Sequence, residues 1–248
     1  NYKASFAIKN EDSPEIIFAI PYDHKQGTVG NYLASMTYHY NQKEAFDPAG
    51  KYQWCGNGIC AQPGVYSSFE ANDVRRNCLL IGQQYNAATG APVLMANGEP
   101  LNYTEAIQDF TNALQNEGAR LDKYEWSAND QWERDNDWVL MRYAEVLMMQ
   151  AEANFRLGFT QNALDNINLV RRRAGLNDLA ALTLDDLDKE WLHEFVFEGL
   201  RRTTNIRFGT FFQAWWQKPA EADNHTGLYP IPKVELDKNA NLRQNPGY

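Results

Sequence analysis

The heptapeptide HEFVFEG at residues 193–199 contains residue types that act as zinc ligands and general bases. A zinc-protease helix needs two histidines one turn apart, because both imidazoles must face the same metal ion. The residue four positions after His193 is Phe197. The spacing therefore predicts no zinc site in this heptapeptide.

Two glutamates of the same segment are followed by two arginines. Glu194, Glu198, Arg201 and Arg202 have helical spacings that permit ion pairs. Paired carboxylates serve acid–base chemistry when they flank a cleft. Helical carboxylates followed by arginines more simply hold helices in register, and residues 145–173 contain a similar mixture of charges. We interpret these charges as structural and predict no catalytic residue.

Motifs for cofactors and metals are incomplete. The GNG at residues 56–58 has no Lys-Ser/Thr after it and opens no helix, so it does not form a nucleotide-binding loop. The DKNAN at residues 237–241 resembles part of a calcium loop, but the closing glutamate is missing. The net charge of −9 disfavours nucleic acid as a partner, because a phosphate-binding face needs a basic patch. The sequence therefore predicts no cofactor, no metal site and no nucleic-acid interface.

The stretch KYQWCGNGICAQPGVY at residues 51–66 is the best candidate for ligand binding. Sugars present flat C–H faces that stack on indole or phenol rings, and their hydroxyls need amide or carboxylate partners. Trp54 and Asn57 supply both kinds of group in a glycine-containing loop. An aromatic platform could be extended by Tyr52, Tyr38 and Tyr40. In the alternative interpretation, Trp54 fills the core beneath the loop.

The cysteines Cys55, Cys60 and Cys78 are too few for a disulfide scaffold. Cys55 and Cys60 are close enough in sequence for a local bridge, which would suit a location outside the cytoplasm. Free thiols are the alternative, because bridge geometry cannot be judged from sequence.

A helical hairpin at residues 137–176 is the clearest element that could hold such loops. Apolar residues recur at intervals of three or four and line one face of each helix: Leu140, Ala144, Leu147, Ala151 and Phe155, then Ala163, Ile167, Val170 and Ala174. Gly158 ends the first helix, Thr160 caps the second and Gly175 ends it. The small residues fit the 34-residue tetratricopeptide pattern, but the chain has no second copy. One such hairpin needs neighbours to bury its apolar face.

The chain before this hairpin contains few predicted elements. The apolar run at residues 13–23 ends at a proline and predicts a strand. Residues 24–91 are rich in Gly, Asn, Tyr and Pro and predict a long irregular region with one short helix near residues 66–71. Residues 101–126 are ambiguous, because apolar spacing at residues 106–114 permits a helix.

The chain after the hairpin is predicted to begin with a helix. Thr183 and Asp186 form a capping-box pattern, and the apolar spacing continues to about Arg202. Residues 211–218 predict a further short helix. The tail from residue 228 is rich in Pro and Asn, so it is predicted to be extended or turned and to pack back on the body.

Several unconnected stretches resemble one protein family. The run RYAEVLMMQAEANFRLG…ALDNINLVRRRAGL, followed by HEFVFEGLRRTTNIRFG and PIPKVEL…NLRQNPGY, is similar to the signature of SusD/RagB-like nutrient-binding lipoproteins of Gram-negative bacteria. Upstream, NEDSPEIIFAIPY, FEANDVRRN and GARLDKYEW match the same pattern in the same order. Family members are roughly twice as long, so this chain resembles their C-terminal half. The N-terminal half of the same protein is therefore an expected partner.

The resemblance implies a mainly α fold in which a tetratricopeptide-like hairpin packs with a large loop-rich region and few short strands. Residues 1–136 would form a loop-rich ligand-binding part, with extended chain near Arg120 to Tyr124. Residues 137–248 would form the helical signature region and an extended tail. Because no fixed motif carries the family's glycan contacts, the candidate site rests on the chemistry of its residues.

The resemblance also implies a function. The protein would be a surface-exposed lipoprotein of the cell outer membrane, with an anchor outside this chain. It would capture oligosaccharide or polysaccharide for a TonB-dependent outer-membrane barrel protein and would not be an enzyme.

Other functions remain open. An acidic chain rich in Asn, Gln and Tyr also suits an oligopeptide cargo. A tetratricopeptide adaptor is disfavoured, because adaptor grooves need about three stacked repeats. A glycosidase would need two cleft carboxylates about 5 to 10 Å apart.

Overall fold

The structure is a computed structural model that describes residues 2–26, 30–47, 55–126 and 134–248. The helices within these ranges are α1 (Lys43–Phe46), α2 (Val65–Ser68), α3 (Tyr143–Arg156), α4 (Thr160–Arg173), α5 (Leu184–Glu194), α6 (Arg201–Phe208) and α7 (Lys233–Lys238). Short 3-10 helices occupy Tyr2–Phe6, His24–Gln26, Leu33–Thr37, Val74–Cys78 and His225–Gly227. The predicted mainly α fold is confirmed. No helix of the described ranges combines the length and the hydropathy needed to cross a membrane.

The strands of the described chain are short and pair two by two. They are β1 (Ile16–Ile20), β2 (Leu79–Leu80), β3 (Gly82–Gln83), β4 (Asn102–Tyr103), β5 (Arg120–Leu121) and β6 (Trp138–Arg142). The antiparallel pairs are β1 with β6, β2 with β5, and β3 with β4. The strand predicted at residues 13–23 and the extended chain implied near Arg120 are both confirmed. The β1–β6 pair ties the first part of the chain to α3, which directly follows β6, and the other two pairs join segments of residues 79–121 to each other.

The helical hairpin is formed by α3 and α4, whose facing sides build the main hydrophobic cluster. Buried small and branched residues of both helices meet there: Ala144, Met148, Ala151, Ala163, Leu164, Ile167 and Val170. Trp191 of α5 and the following Phe195 cover the same cluster. Gly158 has a φ of 84° and Gly175 a φ of 81°, and both glycines directly follow a helix end as predicted.

Two details of the predicted hairpin are wrong. Leu140 lies in β6 with 42% of its surface exposed, so α3 begins three residues later, at Tyr143. The segment remains extended there because β6 pairs with β1. Thr160 is the first helical residue of α4 rather than its cap, and the cap position is occupied by Phe159 without a side-chain hydrogen bond.

The single helix predicted from Thr183 to Arg202 is broken into α5 and α6. Its beginning is confirmed, because Thr183 and Asp186 form a complete capping box. The helix ends at Glu194, and the chain then turns through positive φ angles of 66° at Phe197 and 81° at Gly199. The chain therefore changes direction in this turn before α6 begins at Arg201.

Other predicted helices of the chain also differ from the structure. Residues 211–218 form turns and bends rather than the predicted helix, and the ambiguous residues 106–114 also form turns and bends. Trp215 and Lys218 are joined instead by an isolated antiparallel bridge. The tail, predicted to be mostly extended or turned, contains the short helix α7. It also packs on the body as predicted, since the Arg202 guanidinium lies 4.1 Å from the centroid of the Tyr229 ring.

A buried ionic group connects the helical region with the rest of the chain. This arginine–glutamate cluster consists of Arg75, Arg142, Arg173, Glu190, Glu194 and Glu198. Glu194 is fully buried and accepts hydrogen bonds from Arg142 at 2.5 Å and from Arg75 at 3.0 Å. Burial alone would raise the pKa of the Glu194 carboxyl, but the surrounding arginines outweigh it and hold that pKa at about 2. The glutamates therefore fix the fold, as the structural interpretation of these charges predicts.

Candidate functional site

The described part of the predicted ligand loop is held in place through Asn57. Its backbone N–H donates to the Tyr38 carbonyl at 2.8 Å, and its side chain donates to the Gln115 carbonyl at 3.0 Å. Its amide oxygen accepts from Arg120 at 2.9 Å. Asn57 has a φ of 48°, a left-handed conformation that asparagine tolerates better than most residues. Both ends of this amide are engaged within the protein, so Asn57 orders the loop.

Arg120 is the buried centre of this arrangement. Its guanidinium donates to the carbonyls of Glu117 at 2.7 Å, Gly118 at 2.9 Å and Gln115 at 2.6 Å. It also lies 5.0 Å from the ring centroid of Tyr103. The planar guanidinium of this one side chain therefore joins the backbone of residues 115–118 to the Asn57 loop.

Tyr38 does not belong to a surface platform, so that prediction is wrong. Its side chain is 1% exposed and packs at 5.3 Å from the Phe46 ring. The hydroxyl donates to Asp122 at 2.5 Å. Burial, reinforced by the Asp122 charge, raises the pKa of Tyr38 well above its usual value. The ring can be buried because its hydroxyl, the one polar group of the side chain, has a hydrogen-bond partner in the core.

Tyr40 differs from Tyr38, since it is 51% exposed. Its backbone is held by the adjacent His39, which is buried, lies 3.2 Å from the Gln115 amide oxygen and accepts from the Asn41 N–H at 3.1 Å. The Tyr40 phenol therefore projects from an ordered segment beside the Asn57 loop. Its role in ligand binding stays a prediction.

Trp54 and Tyr52 lie outside the described residues, and their roles also stay predictions. The next residue, Cys55, is buried in a cluster with Tyr38 and Phe46. Burial raises the pKa of the Cys55 thiol to about 12. Cys55, Cys60 and Cys78 are all free thiols, so the structure contains no local Cys55–Cys60 bridge.

A cleft that the sequence did not indicate lies beside this cluster. Its volume is 520 Å³, and its lining includes Trp126, Asp122, Glu125, Asn77 and Lys3. We call it the Trp126 cleft. An indole, two carboxylates, an amide and an ammonium surround one depression, which is the combination that sugar faces and hydroxyls require.

The anchoring of Trp126 explains why this cleft is next to the predicted loop. The indole packs at 4.1 Å on the Phe46 ring, which also contacts Tyr38. Asp122 receives the Tyr38 hydroxyl and lies 3.3 Å from the Lys3 ammonium. The stretch GARLDKYEW resembles the family pattern, but only the folded chain brings its Asp122 and Trp126 together with Lys3 and Asn77.

The histidine of the HEFVFEG segment is structural. His193 is buried, stacks at 4.0 Å on the Phe69 ring and lies 2.9 Å from the Ser68 hydroxyl. Burial, with the Arg75 charge, lowers the pKa of the imidazole to about 3. Within the described ranges, no group of three or more metal-ligating His, Cys, Asp or Glu side chains is found.

Comparison with known sequences decides the family. The sequence model of the SusD family matches residues 14–248, which is nearly the whole chain. This chain belongs to the SusD family. The resemblance in the separate sequence stretches is thereby confirmed.

Two relatives each match part of this chain in sequence. The starch-binding protein SusD of Bacteroides thetaiotaomicron is 37% identical over 123 residues, which are 46% of this chain and 22% of that protein. The SusD-like protein P2 of Formosa agariphila is 26% identical over 210 residues, 74% of this chain and 39% of that protein.

A solved structure of a glycan-binding protein matches the fold of nearly the whole chain. The surface glycan-binding protein A of Bacteroides thetaiotaomicron in complex with laminarihexaose has a TM-score of 0.68 and 28% identity, over 99% of this chain and 55% of that one. The chain thus spans about half the length of that protein.

Proposed function

We propose that this chain is the C-terminal half of a cell-surface glycan-binding protein that captures oligosaccharide without bond chemistry. The observation that carries the proposal is membership of the SusD family over residues 14–248, together with relatives named for binding starch and crystallised with laminarihexaose. The Trp126 cleft supports it, because an indole and several polar groups share one depression there.

The charges of the chain also favour binding over catalysis. The side chains of Glu194 and Glu198 are 0% and 5% exposed, and each is paired with Arg142. A glycosidase needs two carboxylates that flank the substrate. These two instead serve as counter-charges for buried guanidinium groups.

The proposed setting follows from the family. The protein would be a lipoprotein on the surface of the outer membrane and would pass its cargo to a TonB-dependent barrel protein. The N-terminal half of the same protein would complete the molecule. Within this half, the proposed contacts are Trp126 together with the loop residues Trp54, Tyr52 and Tyr40.

Affinity electrophoresis of the 248-residue chain tests the proposal. We expect retardation in gels that contain starch or laminarin and a normal position in plain gels. Trp126→Ala and Trp54→Ala should each reduce the retardation, because loss of one stacked ring removes about 1 kcal/mol or more of contact. The control is Phe110→Ala, since Phe110 is 83% exposed and lies outside the Trp126 cleft.

The same gels separate the alternatives. Equal retardation of Trp126→Ala, Trp54→Ala and the unaltered chain would show that neither tryptophan contacts the glycan. Absence of retardation by any glycan, with saturable binding of mixed oligopeptides in calorimetry, would show that the cargo is peptide. Release of reducing sugar during long incubation would instead indicate a glycosidase.

A further inference from the structure

The charged groups that line the Trp126 cleft are unequal in number. Among the described residues of the lining, Lys3 carries a positive charge, and Asp122 and Glu125 carry negative charges. The rest of this lining is apolar or aromatic, apart from the uncharged amide of Asn77. The lining therefore has a net negative charge, as does the whole chain with its −9.

Lys3 and Asp122 neutralise each other within the cleft. The Lys3 ammonium lies 3.3 Å from Oδ2 of Asp122. The other carboxylate oxygen, Oδ1, accepts from the Tyr38 hydroxyl at 2.5 Å. Both oxygens of Asp122 thus have partners inside the protein, so this carboxylate contributes little to the charge that a ligand meets.

Glu125 carries the negative charge that remains. Its side chain is exposed, and its Oε2 atom accepts from the Ile8 N–H at 2.9 Å. Within the described ranges, its Oε1 atom has no hydrogen-bond donor and its carboxylate has no salt bridge. A carboxylate accepts hydrogen bonds and cannot donate them. The ligand group that contacts Oε1 must therefore be a donor, and a sugar hydroxyl is one.

The backbone around the cleft keeps Glu125 next to Trp126. The Glu125 N–H donates to the Phe6 carbonyl at 2.8 Å, and the Glu125 carbonyl accepts from the Asn136 side chain at 3.0 Å. The Trp126 indole is held by its contact with the Phe46 ring at 4.1 Å. A sugar that stacks on this indole therefore shares the cleft with a carboxylate whose backbone is fixed on both sides.

A carboxylate in this position distinguishes charged sugars from neutral ones. A uronic acid or a sulfate ester brings a second anion into the cleft, and like charges a few ångströms apart repel each other. The oxygens of such a group are acceptors, so they cannot supply the donor that Glu125 requires. The hydroxyls of a neutral sugar supply that donor without the repulsion.

We infer that the Trp126 cleft takes uncharged glycan and discriminates against glycans that carry carboxylates or sulfate esters, with Glu125 as the residue that determines this specificity. The inference rests on the proposed glycan-binding function and names the chemical class of the ligand at the same site.

Calorimetry of the 248-residue chain with matched glycans tests the discrimination. The parent probe is a short oligosaccharide from starch or laminarin. Oxidation of its primary hydroxyls places carboxylates on the sugar units, and the methyl ester of the same oxidised oligosaccharide is the neutral match. We expect the ester to bind roughly threefold to tenfold more tightly than the acid at low salt. The two affinities should converge as salt rises, because salt screens the charges.

Three variants assign the discrimination to the cleft. Glu125→Gln removes the charge and keeps an oxygen for the Ile8 N–H, so the ratio of ester affinity to acid affinity should fall roughly threefold. Lys3→Gln removes the cation beside Asp122 and should raise that ratio. The control is Glu99→Gln, which removes an equal charge at an exposed position outside the cleft and should leave the ratio unchanged. Thermal melts identify any variant that fails to fold, and Glu125→Gln and Lys3→Gln test the inference independently.

The inference and the proposed function can be judged separately. The inference is overturned if the acid binds as tightly as its ester, or if neither Glu125→Gln nor Lys3→Gln changes the affinity ratio in the expected direction. An equal change in Glu99→Gln also overturns it, because the discrimination would then come from the overall charge of the protein. In each of these cases, binding of the parent oligosaccharide leaves the proposed function standing. If no neutral oligosaccharide binds, the proposed function fails and the inference fails with it.

Discussion

At the scale of single residues, His193 shows how burial decides the chemistry of a side chain. In sequence it has the neighbours of a metal-binding histidine, but the fold places it between Phe69 and Ser68. Its imidazole is thus kept neutral, with a pKa lowered to about 3 by burial and by the Arg75 charge. An unfolded chain would hold the same imidazole near its ordinary pKa of about 6.5.

This difference predicts a pH-dependent stability. Between about pH 6.5 and pH 3 the unfolded state binds a proton at His193 that the native state does not, so stability falls as pH falls. At pH 5.0 the loss attributable to His193 should be about 2 kcal/mol relative to pH 7.5. Urea unfolding of the unaltered chain and His193→Gln at the two pH values measures it.

The comparison of the two proteins isolates the buried imidazole. His193→Gln should show about 2 kcal/mol less acid-induced loss than the unaltered chain. An identical pH dependence for both proteins would mean that the native imidazole takes up a proton as readily as the unfolded one.

At the scale of elements, two threonines that precede helical segments have different roles. Thr183 accepts from the Asp186 N–H at 3.1 Å, and its own N–H donates to the Asp186 carboxylate at 2.9 Å. Thr160 is already inside α4 and makes no capping hydrogen bond. A sequence rule that assigns a helix cap to each threonine is therefore correct for Thr183 and wrong for Thr160.

The pair provides a stability test. Thr183→Ala should lower the free energy of unfolding by about 1 kcal/mol, because an orphan N–H of α5 loses its acceptor. Thr160→Ala should leave it unchanged or slightly raised, since alanine favours the helix interior. Denaturant titration of both variants checks this, and equal effects would contradict the assignment of the cap.

The sequence predicts the hairpin well because its signal is local. Apolar periodicity in α3 and α4 and the glycines after them report the helix ends directly. The break after α5 was missed because the left-handed Phe197 carries no signal in its residue type. The burial of Tyr38 depends on Asp122, a partner 84 positions away, which periodicity cannot reveal. The Trp126 cleft was missed for the same reason.

At the scale of the whole molecule, the described chain exposes large apolar side chains around the hairpin. Leu157 and Phe159, at the turn between α3 and α4, are 70% and 58% exposed, and Phe18 of β1 is 62% exposed. A single hairpin of this kind needs neighbours. Because the chain spans about half of its structural relatives, we propose that the remaining half covers these side chains.

If the remaining half of the protein covers these side chains, they are open to solvent in the isolated 248-residue chain. It should bind an apolar fluorescent dye and self-associate at high concentration in sedimentation experiments, because open apolar patches attract one another. The double variant Leu157→Glu and Phe159→Glu should reduce both signals. Phe110→Glu, a change at an isolated exposed ring, should leave the sedimentation profile unchanged. A strictly monomeric unaltered chain would contradict the prediction.

The arginine–glutamate cluster makes the chain indivisible. Arg75 comes from the first part of the chain and Glu194 from the second, and cleavage between residues 136 and 137 would not separate them without cost. Separation would take Lys123 away from Glu198 and Arg75 away from Glu190 and Glu194 in a dry interior. The 248 residues should consequently melt in a single cooperative transition, and neither fragment should be an autonomous folding unit.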